Sequence, residues 1–380
     1  MRAYVFTDAS LERHAGQFVW LEINTEKKDN APVRQQYPVA ALPTYLVVDP
    51  RDESVLLRWV GGAKVEQLHS MLDEVLASYQ GRAPAAPADE ALARADALYG
   101  EARYAEAVVA YREALDAAPT QWEAYSRTVE SLLFAMSSTQ RYAEGARLAL
   151  QAYPRVRHTA SAANVAATGL DCALSMTKDD STRGRLIDSL VEAAEQVAGD
   201  TSIPVAADDR SAVFITLVSA REDAGDTAGA RQIAERWAAF LEEEAAKAKT
   251  PDARAVFDSH RLSAYLELGE PERAIPMLEA SERDLPDDYN PPARLAIVYQ
   301  RMEKWDEALA ASDRALAKAY GPRRLTYLRT RAAIFEGMGD KDRARATLAD
   351  AVREAEALPE GQRSERTIAR LREMLTALDE

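Results

Sequence analysis

"LGEPERAIPMLEASERDLP" at 268–286 and "MEKWDEALAASDRALAKAY" at 302–320 share a turn, a large side chain and small residues at fixed offsets. The small residue is Ala274 in the first stretch and Ala308 in the second, 34 positions later. It recurs at Ala344, 36 positions further on. A period of about 34 residues is typical of two antiparallel helices that pack through small side chains and stack on the next pair. The repeated stretches therefore predict an array of helix pairs.

The sequence from Asp89 onward fits this array as a whole. It contains no convincing strand run and is rich in Ala, Leu, Glu and Arg, which favour helix. An earlier copy stands at 101–119, and the stretches at 141–154 and 221–244 read as degenerate copies with longer helices. We predict a helical repeat domain over 89–380 and leave its exact number of repeats open.

The predicted helical region resembles the tetratricopeptide repeats. The matching residues in four copies are Tyr104, Ala107, Tyr111, Ala114 and Pro119; Tyr265, Gly269, Ala274, Leu278 and Pro286; Tyr299, Trp305, Ala308 and Ala315; and Phe335, Gly339, Ala344, Leu348 and Ala351. The resemblance implies an α-solenoid that binds a partner protein or peptide on its concave face, which is formed by the first helix of each pair.

Members of this family that hold a C-terminal carboxylate carry Lys and Asn on those first helices. The matching positions are different here: they are Ala293, Ile297, Arg329 and Ala333. A carboxylate clamp of that kind is therefore not expected. We predict Tyr299, Arg301 and Arg329 as candidates for contact with a partner peptide, although packing is the stronger interpretation of Tyr299.

The first 80 residues follow a different pattern. Strand-like runs stand at 16–24, 44–50 and 54–62, with a short helix at 31–37 and an amphipathic helix at 64–79. The intervening turn predicts that 54–62 returns antiparallel to 44–50. A Pro/Ala-rich linker at 81–88 follows. We therefore predict an α/β domain over 1–80, joined by this linker to the all-α region.

The bend at Leu42-Pro43-Thr44 lies between the short helix and an apolar strand, and the region around it resembles the thioredoxin family. In that family a cis proline at this place stands beside a Cys-x-x-Cys pair, which this sequence lacks. The resemblance implies an incomplete thioredoxin-like domain, whose central strand and redox cysteines would lie upstream of Met1. We expect a cis bond before Pro43, and we take Leu42, Pro43 and Thr44 as peptide-binding candidates.

Charge and hydropathy exclude several classes of partner. The net charge of -15 argues against binding to nucleic acid or to an anionic membrane, because both require clustered Lys and Arg. The longest apolar stretch, at 212–220, is far shorter than the roughly 20 residues that span a bilayer. No signal peptide follows Met1, so we expect a cytoplasmic protein, or a periplasmic one if a signal peptide precedes this sequence.

Few residues are candidates for chemistry. The single cysteine, Cys172, lies in an apolar helical context and is assigned no reaction. The histidines have no metal-binding spacing and are expected to be solvated at the surface: His14, His69, His158 and His260. Trp20 and Trp59 are expected in the core. The sequence predicts no catalytic residue, no cofactor and no metal site.

Three functions remain open at this stage. The first is a protein-protein interaction adaptor with a redox-inactive thioredoxin-like region. The second is a thiol-disulfide oxidoreductase whose Cys-x-x-Cys pair lies upstream of Met1, with the repeats selecting protein substrates. The third is a structural scaffold in which the N-terminal region packs on the repeats or dimerises.

Overall fold

The chain is largely helical. The computed structural model describes residues 5–39, 42–80 and 86–378. They form two compact units: unit 1 comprises Met1–Val19 and Pro38–Trp237, and unit 2 comprises Trp20–Tyr37 and Ala238–Glu380. The predicted domains at 1–80 and 89–380 stay a prediction.

Unit 1 begins with a small α/β motif. A 3₁₀ helix at Ala9–His14 precedes two antiparallel strands, β1 (Thr44–Val48) and β2 (Val55–Val60), and then helix α2 (Val65–Tyr79). Tyr45 faces Trp59 across the hairpin, and Trp59 packs into a core with Leu68, Met71 and Leu72 of α2. The predicted hairpin and the amphipathic helix after it are confirmed.

The rest of unit 1 consists of helices. They are α3 (Pro87–Gly100), α4 (Tyr104–Ala117), α5 (Tyr125–Ser138), α6 (Tyr142–Val156), α7 (Ala162–Leu174), α8 (Arg183–Gly199), α9 (Ala207–Asp223) and the first half of α10 (Thr227–Lys247). The predicted linker overlaps α3, which begins at Pro87, while 81–85 lie outside the described residues.

The β-hairpin is fixed to the first repeat helices by two neighbouring residues of β2. The guanidinium of Arg58 is buried, donates to the carbonyl oxygen of Pro38 at 2.6 Å, and occupies the space that a side chain at Gly100 of α3 would fill. The guanidinium of Arg127 on α5 lies 4.9 Å from the centre of the Trp59 ring. Because both contacts need large side chains on β2 and small or cationic residues on the helices, they hold this hairpin on α3 and α5.

Unit 2 contains a short helix from early in the sequence and the C-terminal repeats. Its elements are α1 (Ala31–Gln36), the second half of α10, α11 (Pro251–Ala255), α12 (Asp258–Leu268), a 3₁₀ turn (Pro271–Ala274), α13 (Ile275–Asp284), α14 (Asn290–Arg301), α15 (Trp305–Lys318), α16 (Gly321–Gly337), α17 (Lys341–Glu356) and α18 (Glu365–Ala377). The pairs α12/α13, α14/α15 and α16/α17 follow one another. The small residues predicted between paired helices, Ala274, Ala308 and Ala344, are fully buried.

Six of the turns between paired helices share one backbone conformation. In each of these six, one residue takes a left-handed φ between 57° and 79°: Ala102, Gln140, Gly225, Gly269, Glu303 and Gly339. A left-handed residue just after a helix caps its last carbonyl groups and reverses the chain. The degenerate copies predicted at 141–154 and 221–244 therefore carry the same turn as the clear copies.

The strand predicted at 16–24 is wrong. The structure gives these residues no strand pairing, and β1 pairs with β2 only. An extended run needs a neighbour for its backbone groups, and here the residues from Trp20 onward belong to unit 2 with the repeats. Trp20, expected in the core, is 47% exposed, whereas Trp59 is buried as expected. With one two-stranded sheet in the described N-terminal residues, the thioredoxin-like architecture is not confirmed.

Candidate functional site

The first helices of the three C-terminal pairs lie side by side. We call α12, α14 and α16 the A helices; α14 contacts both of the others. The predicted contact residues of this region lie on them, with Tyr299 and Arg301 at the end of α14 and Arg329 in the middle of α16. The A helices therefore bring these three candidates into one array.

Tyr299 has mainly a packing role. Its side chain is half-buried, and burial raises the pKa of its phenol, which also lies beside the carboxylate of Glu279. The equivalent Tyr265 is buried and donates to Oε1 of Glu242 at 2.6 Å. Tyrosines at this position therefore hold neighbouring helices together.

Arg329 differs from two other arginines of α16, and Arg301 of α14 is likewise without an ion pair. Arg324 bonds Glu354 at 2.9 Å and Arg331 pairs with Asp313, whereas Arg301 and Arg329 form no ion pair with any residue in the described ranges. Arg301 is exposed, and Nε of Arg329 is enclosed without a hydrogen-bond partner among the described residues. An enclosed donor without an acceptor costs about 1–3 kcal/mol, a cost that an added acceptor removes.

A segment from early in the sequence lies against the N-terminal ends of α14 and α16. We call residues 20–37 the strap, and the cleft between Tyr289, Tyr320 and Arg323 the edge cleft. The Glu26 carboxylate accepts from the Tyr289 hydroxyl at 2.6 Å and from Nε of Arg323 at 2.9 Å. The edge cleft therefore binds a carboxylate of the same chain.

The electrostatics of the edge cleft follow from this contact. Burial raises the pKa of the Tyr289 hydroxyl, and the adjacent Glu26 carboxylate raises it further. Burial lowers the pKa of Arg323, but the hydrogen bond and charge of Glu26 outweigh it, so the pKa lies above its usual value. Burial also raises the pKa of Tyr327, beside Tyr289, to about 12. The phenols stay protonated at neutral pH and act as hydrogen-bond donors.

The predicted bend lies in unit 1 and is not part of this array. The Leu42–Pro43 bond is cis, as expected, the Pro43 carbonyl accepts from the Gly61 N–H at 2.9 Å, and Thr44 begins β1. Leu42 is 65% exposed. Neither unit contains all six candidates, so the bend and the A-helix residues are two separate candidate sites.

Cys172 is unsuited to thiol chemistry. It is buried in α7, and burial, followed by the charge of Asp171, raises the pKa of its thiol to about 12. The thiolate is the reactive form, so this thiol is almost entirely unreactive near neutral pH. Among the described residues, no group of His, Cys, Asp or Glu side chains has the arrangement of a metal site, and no helix is long and apolar enough to cross a membrane.

The expectation that all histidines are solvated is wrong for one pair. His14 is buried, and its Nε2 lies 2.9 Å from Nδ1 of His69 on α2. His158 is exposed and His260 is half-buried. A separation of 55 residues between the two rings gives no local sequence pattern, so this pair could not be found without the fold.

Comparisons with known proteins identify the repeats. A sequence model of the tetratricopeptide repeat matches residues 289–357, which span α14 to α17. The resemblance stated for these residues is therefore confirmed, and the chain contains tetratricopeptide repeats. No curated protein matches the chain significantly.

Several solved structures are similar to most of the chain at low identity. A tetratricopeptide repeat protein from Parabacteroides merdae has 12% identity and a TM-score of 0.47, covering 77% of this chain and 99% of that one. BtubC from P. vanneervenii has 19% identity and a TM-score of 0.38, covering 62% and 96%. The TPR2AB domain of yeast Sti1, in complex with pHSP90, has 13% identity and a TM-score of 0.30, covering 77% and 98%. All three scores are low, so the repeat assignment rests on the match at 289–357.

Proposed function

We propose that this chain is a protein-protein interaction adaptor whose C-terminal repeats bind an acidic segment of a partner protein along the A helices. Stacked helix pairs expose one extended surface made of successive first helices, and such surfaces bind protein segments. The residues assigned to contact are Arg301 and Arg329. The bend at Leu42, Pro43 and Thr44 is a second, separate surface for an extended peptide.

The observation that carries this proposal is the state of Arg329. Its Nε is enclosed without an acceptor among the described residues, while neighbouring arginines on α16 have carboxylate partners. The chain has a net charge of -15, so carboxylates are abundant in it, yet none of those described pairs with Arg329. A carboxylate from another protein would pair with the accessible part of the half-buried Arg329 side chain, through a charge-assisted hydrogen bond that is about twice as strong as a neutral one.

The oxidoreductase alternative has less support. Disulfide exchange needs an attacking and a resolving thiol, and Cys172 supplies neither, because it is buried with a pKa of about 12; this alternative therefore depends on cysteines that this sequence does not contain. In this proposal residues 1–80 form a redox-inactive thioredoxin-like region that carries the hairpin of β1 and β2. The adaptor is therefore the function that we carry forward.

A random-peptide display library panned on the full chain tests the proposal. We expect the recovered peptides to be enriched in Asp and Glu. Their affinity for the Arg301→Gln/Arg329→Gln protein should fall about tenfold or more, because each tenfold corresponds to about 1.4 kcal/mol and a charged hydrogen bond contributes about that much.

The matched control is Arg370→Gln, which removes an exposed arginine on α18 outside the A helices. Peptide affinity should be unchanged in this variant. Recovery of peptides without acidic enrichment, or equal loss of affinity in the control, contradicts the assignment of Arg301 and Arg329.

A further inference from the structure

The strap is held at its centre by one carboxylate. Glu26 is 263 positions from Tyr289 and 297 from Arg323 in sequence, yet its two oxygens are bound by the hydroxyl of one and Nε of the other. Its side chain is 18% exposed, whereas that of Arg323 is 47% exposed. The carboxylate is therefore nearly enclosed, while the arginine that binds it stays open to solvent on one side.

The edge cleft is shaped to take the main chain of a peptide as well as this carboxylate. A Cβ at Gly321 would collide with the carbonyl oxygen of Glu26, and a Cβ at Gly361 would lie 2.6 Å from the carbonyl oxygen of Ala31. Nε2 of Gln362 donates to the carbonyl oxygens of Thr25 at 3.0 Å and Lys27 at 2.9 Å. The two glycines and the Gln362 amide thus contact only the backbone of the strap. These contacts do not depend on the identity of its side chains.

Two further contacts involve side chains of the strap. The side-chain amide of Asn24 donates to the Tyr320 hydroxyl at 2.9 Å, two positions before Glu26. Ala31 is buried opposite Gly361, five positions after Glu26. The cleft therefore recognises a turn that leads into a helix, with an amide side chain, a Glu two residues later and a small residue five residues after that.

The strap buries few of its side chains. Ala31 is its one buried residue within the described chain; Val33 and Tyr37 are half-buried, and Leu21 is 78% and Ile23 40% exposed. Burial of apolar surface is the main source of stable association, at roughly 25 cal/mol per Å². The docked state consequently depends on a few polar contacts and on the high effective concentration of a tethered segment.

We infer that the edge cleft is a binding site for an acidic peptide segment of a partner protein, and that the strap occupies it as an intramolecular ligand until that segment displaces it. This inference rests on the proposed function, since it names a second contact of the same partner with the same repeats. The apparent affinity of the partner is reduced by the fraction of molecules in which the strap is docked. A change in the strap that releases Glu26 and leaves the residues of the edge cleft intact therefore raises that affinity.

Fluorescence anisotropy on the full chain tests the inference, with a labelled peptide of residues 20–37 as the probe. The Glu26→Gln protein should bind this peptide with a Kd about tenfold or more below that of the wild type, because loss of the charged contact undocks its own strap. Adding Arg323→Gln to Glu26→Gln should abolish the binding. Asp29→Asn, which removes an exposed carboxylate of the same strap, should behave as the wild type.

A second measurement compares two peptides on the same Glu26→Gln protein, so a difference in folding between proteins cannot produce the result. A peptide carrying Gln at the position of Glu26 should bind the Glu26→Gln protein at least about tenfold more weakly than the unaltered peptide, since the site reads the charge. Equal binding of the peptide to wild type and Glu26→Gln, or binding that survives Arg323→Gln, overturns the inference.

The two proposals fail separately. Arg301→Gln/Arg329→Gln should leave binding of the strap peptide unchanged, because neither residue lines the edge cleft. If the strap peptide binds as expected while the display experiment recovers no acidic peptide, the result supports the edge cleft as a binding site and contradicts the assignment of Arg301 and Arg329. The reverse result leaves the adaptor in place and makes the strap a fixed part of unit 2, which contradicts this inference.

Discussion

The imidazole rings of His14 and His69 meet nitrogen to nitrogen, with Nε2 of the first 2.9 Å from Nδ1 of the second. Nε2 of His69 in turn lies 2.9 Å from the Ser10 hydroxyl, which donates to Asp8. On the other side, Nδ1 of His14 lies 3.9 Å from Asp73, and Arg13 donates to Nε2 of His14. One of the two facing ring nitrogens must lack its proton to accept, so the contact between the rings cannot form when both nitrogens are protonated.

This contact makes the N-terminal motif sensitive to acid. Burial lowers the pKa of His14, and Arg13 and His69 add to the effect against the opposing charge of Asp73. The folded protein thus binds this proton less readily than the unfolded chain. The stabilisation is complete above the ordinary histidine pKa of about 6.5 and is lost as the pH falls below it.

Hydrogen exchange of α2 between pH 5 and pH 8 measures the effect. After correction for intrinsic rates, protection should decrease toward pH 5 in the wild type and change much less in His14→Gln. His158→Gln, at an exposed position, should retain the wild-type profile. Equal pH dependence in all three proteins would exclude His14 as the cause.

A buried polar network joins α3, α4 and α5 of unit 1. The Tyr111 hydroxyl donates to Asp96 at 2.7 Å, and Arg127 donates to the other Asp96 oxygen at 2.9 Å. Tyr111→Phe should lower the free energy of unfolding by about 1–3 kcal/mol, since a buried carboxylate oxygen loses its donor. Urea denaturation checks this. Tyr104→Phe, at a half-buried position, is the control and should stay within about 0.5 kcal/mol.

Gly145 of α6 packs directly on the thiol of Cys172. A Cβ at position 145 would lie 2.9 Å from Sγ, so Gly145→Ala should destabilise the protein by about 1–3 kcal/mol through overpacking. Cys172→Ala makes room, and the double variant should recover most of the loss in a double-mutant cycle. Gly184→Ala, with no atom within 4 Å, should not destabilise. Additive losses in the double variant would contradict this packing.

The thiol of Cys172 should be nearly inert in the folded protein. Its pKa of about 12 leaves almost no thiolate at pH 8, and the side chain is buried. Reaction with an aromatic disulfide reagent should be slow in buffer and should release one thiol per chain in guanidinium chloride. Fast reaction without denaturant would show that α7 opens readily.

The sequence was sufficient wherever structure follows from local pattern. The apolar runs around Val47 and Leu57, separated by a turn, predicted the hairpin, and the spacing of Ala274 and Ala308 predicted the helix pairs. The run at 16–24 failed because strand propensity cannot say whether a neighbour exists. The partners of Glu26 and His14 lie far away in sequence, and no local sequence pattern marks either the residue or its partners. The edge cleft and the histidine pair could therefore be found only in the folded chain.

The strap can dock only late in synthesis, because its contact residues are translated long after it. Thr25 is made 337 positions before Gln362, the residue that binds its carbonyl oxygen. At about 5–20 residues per second, the ribosome takes roughly 17 to 67 s to cover that interval. During this time the strap residues Trp20, Leu21 and Ile23 are already part of the nascent chain, but the edge cleft has not yet been synthesised. Ribosome-bound chains stalled before Arg323 should therefore be cleaved by protease within the strap, and chains stalled well beyond Gln362 should resist.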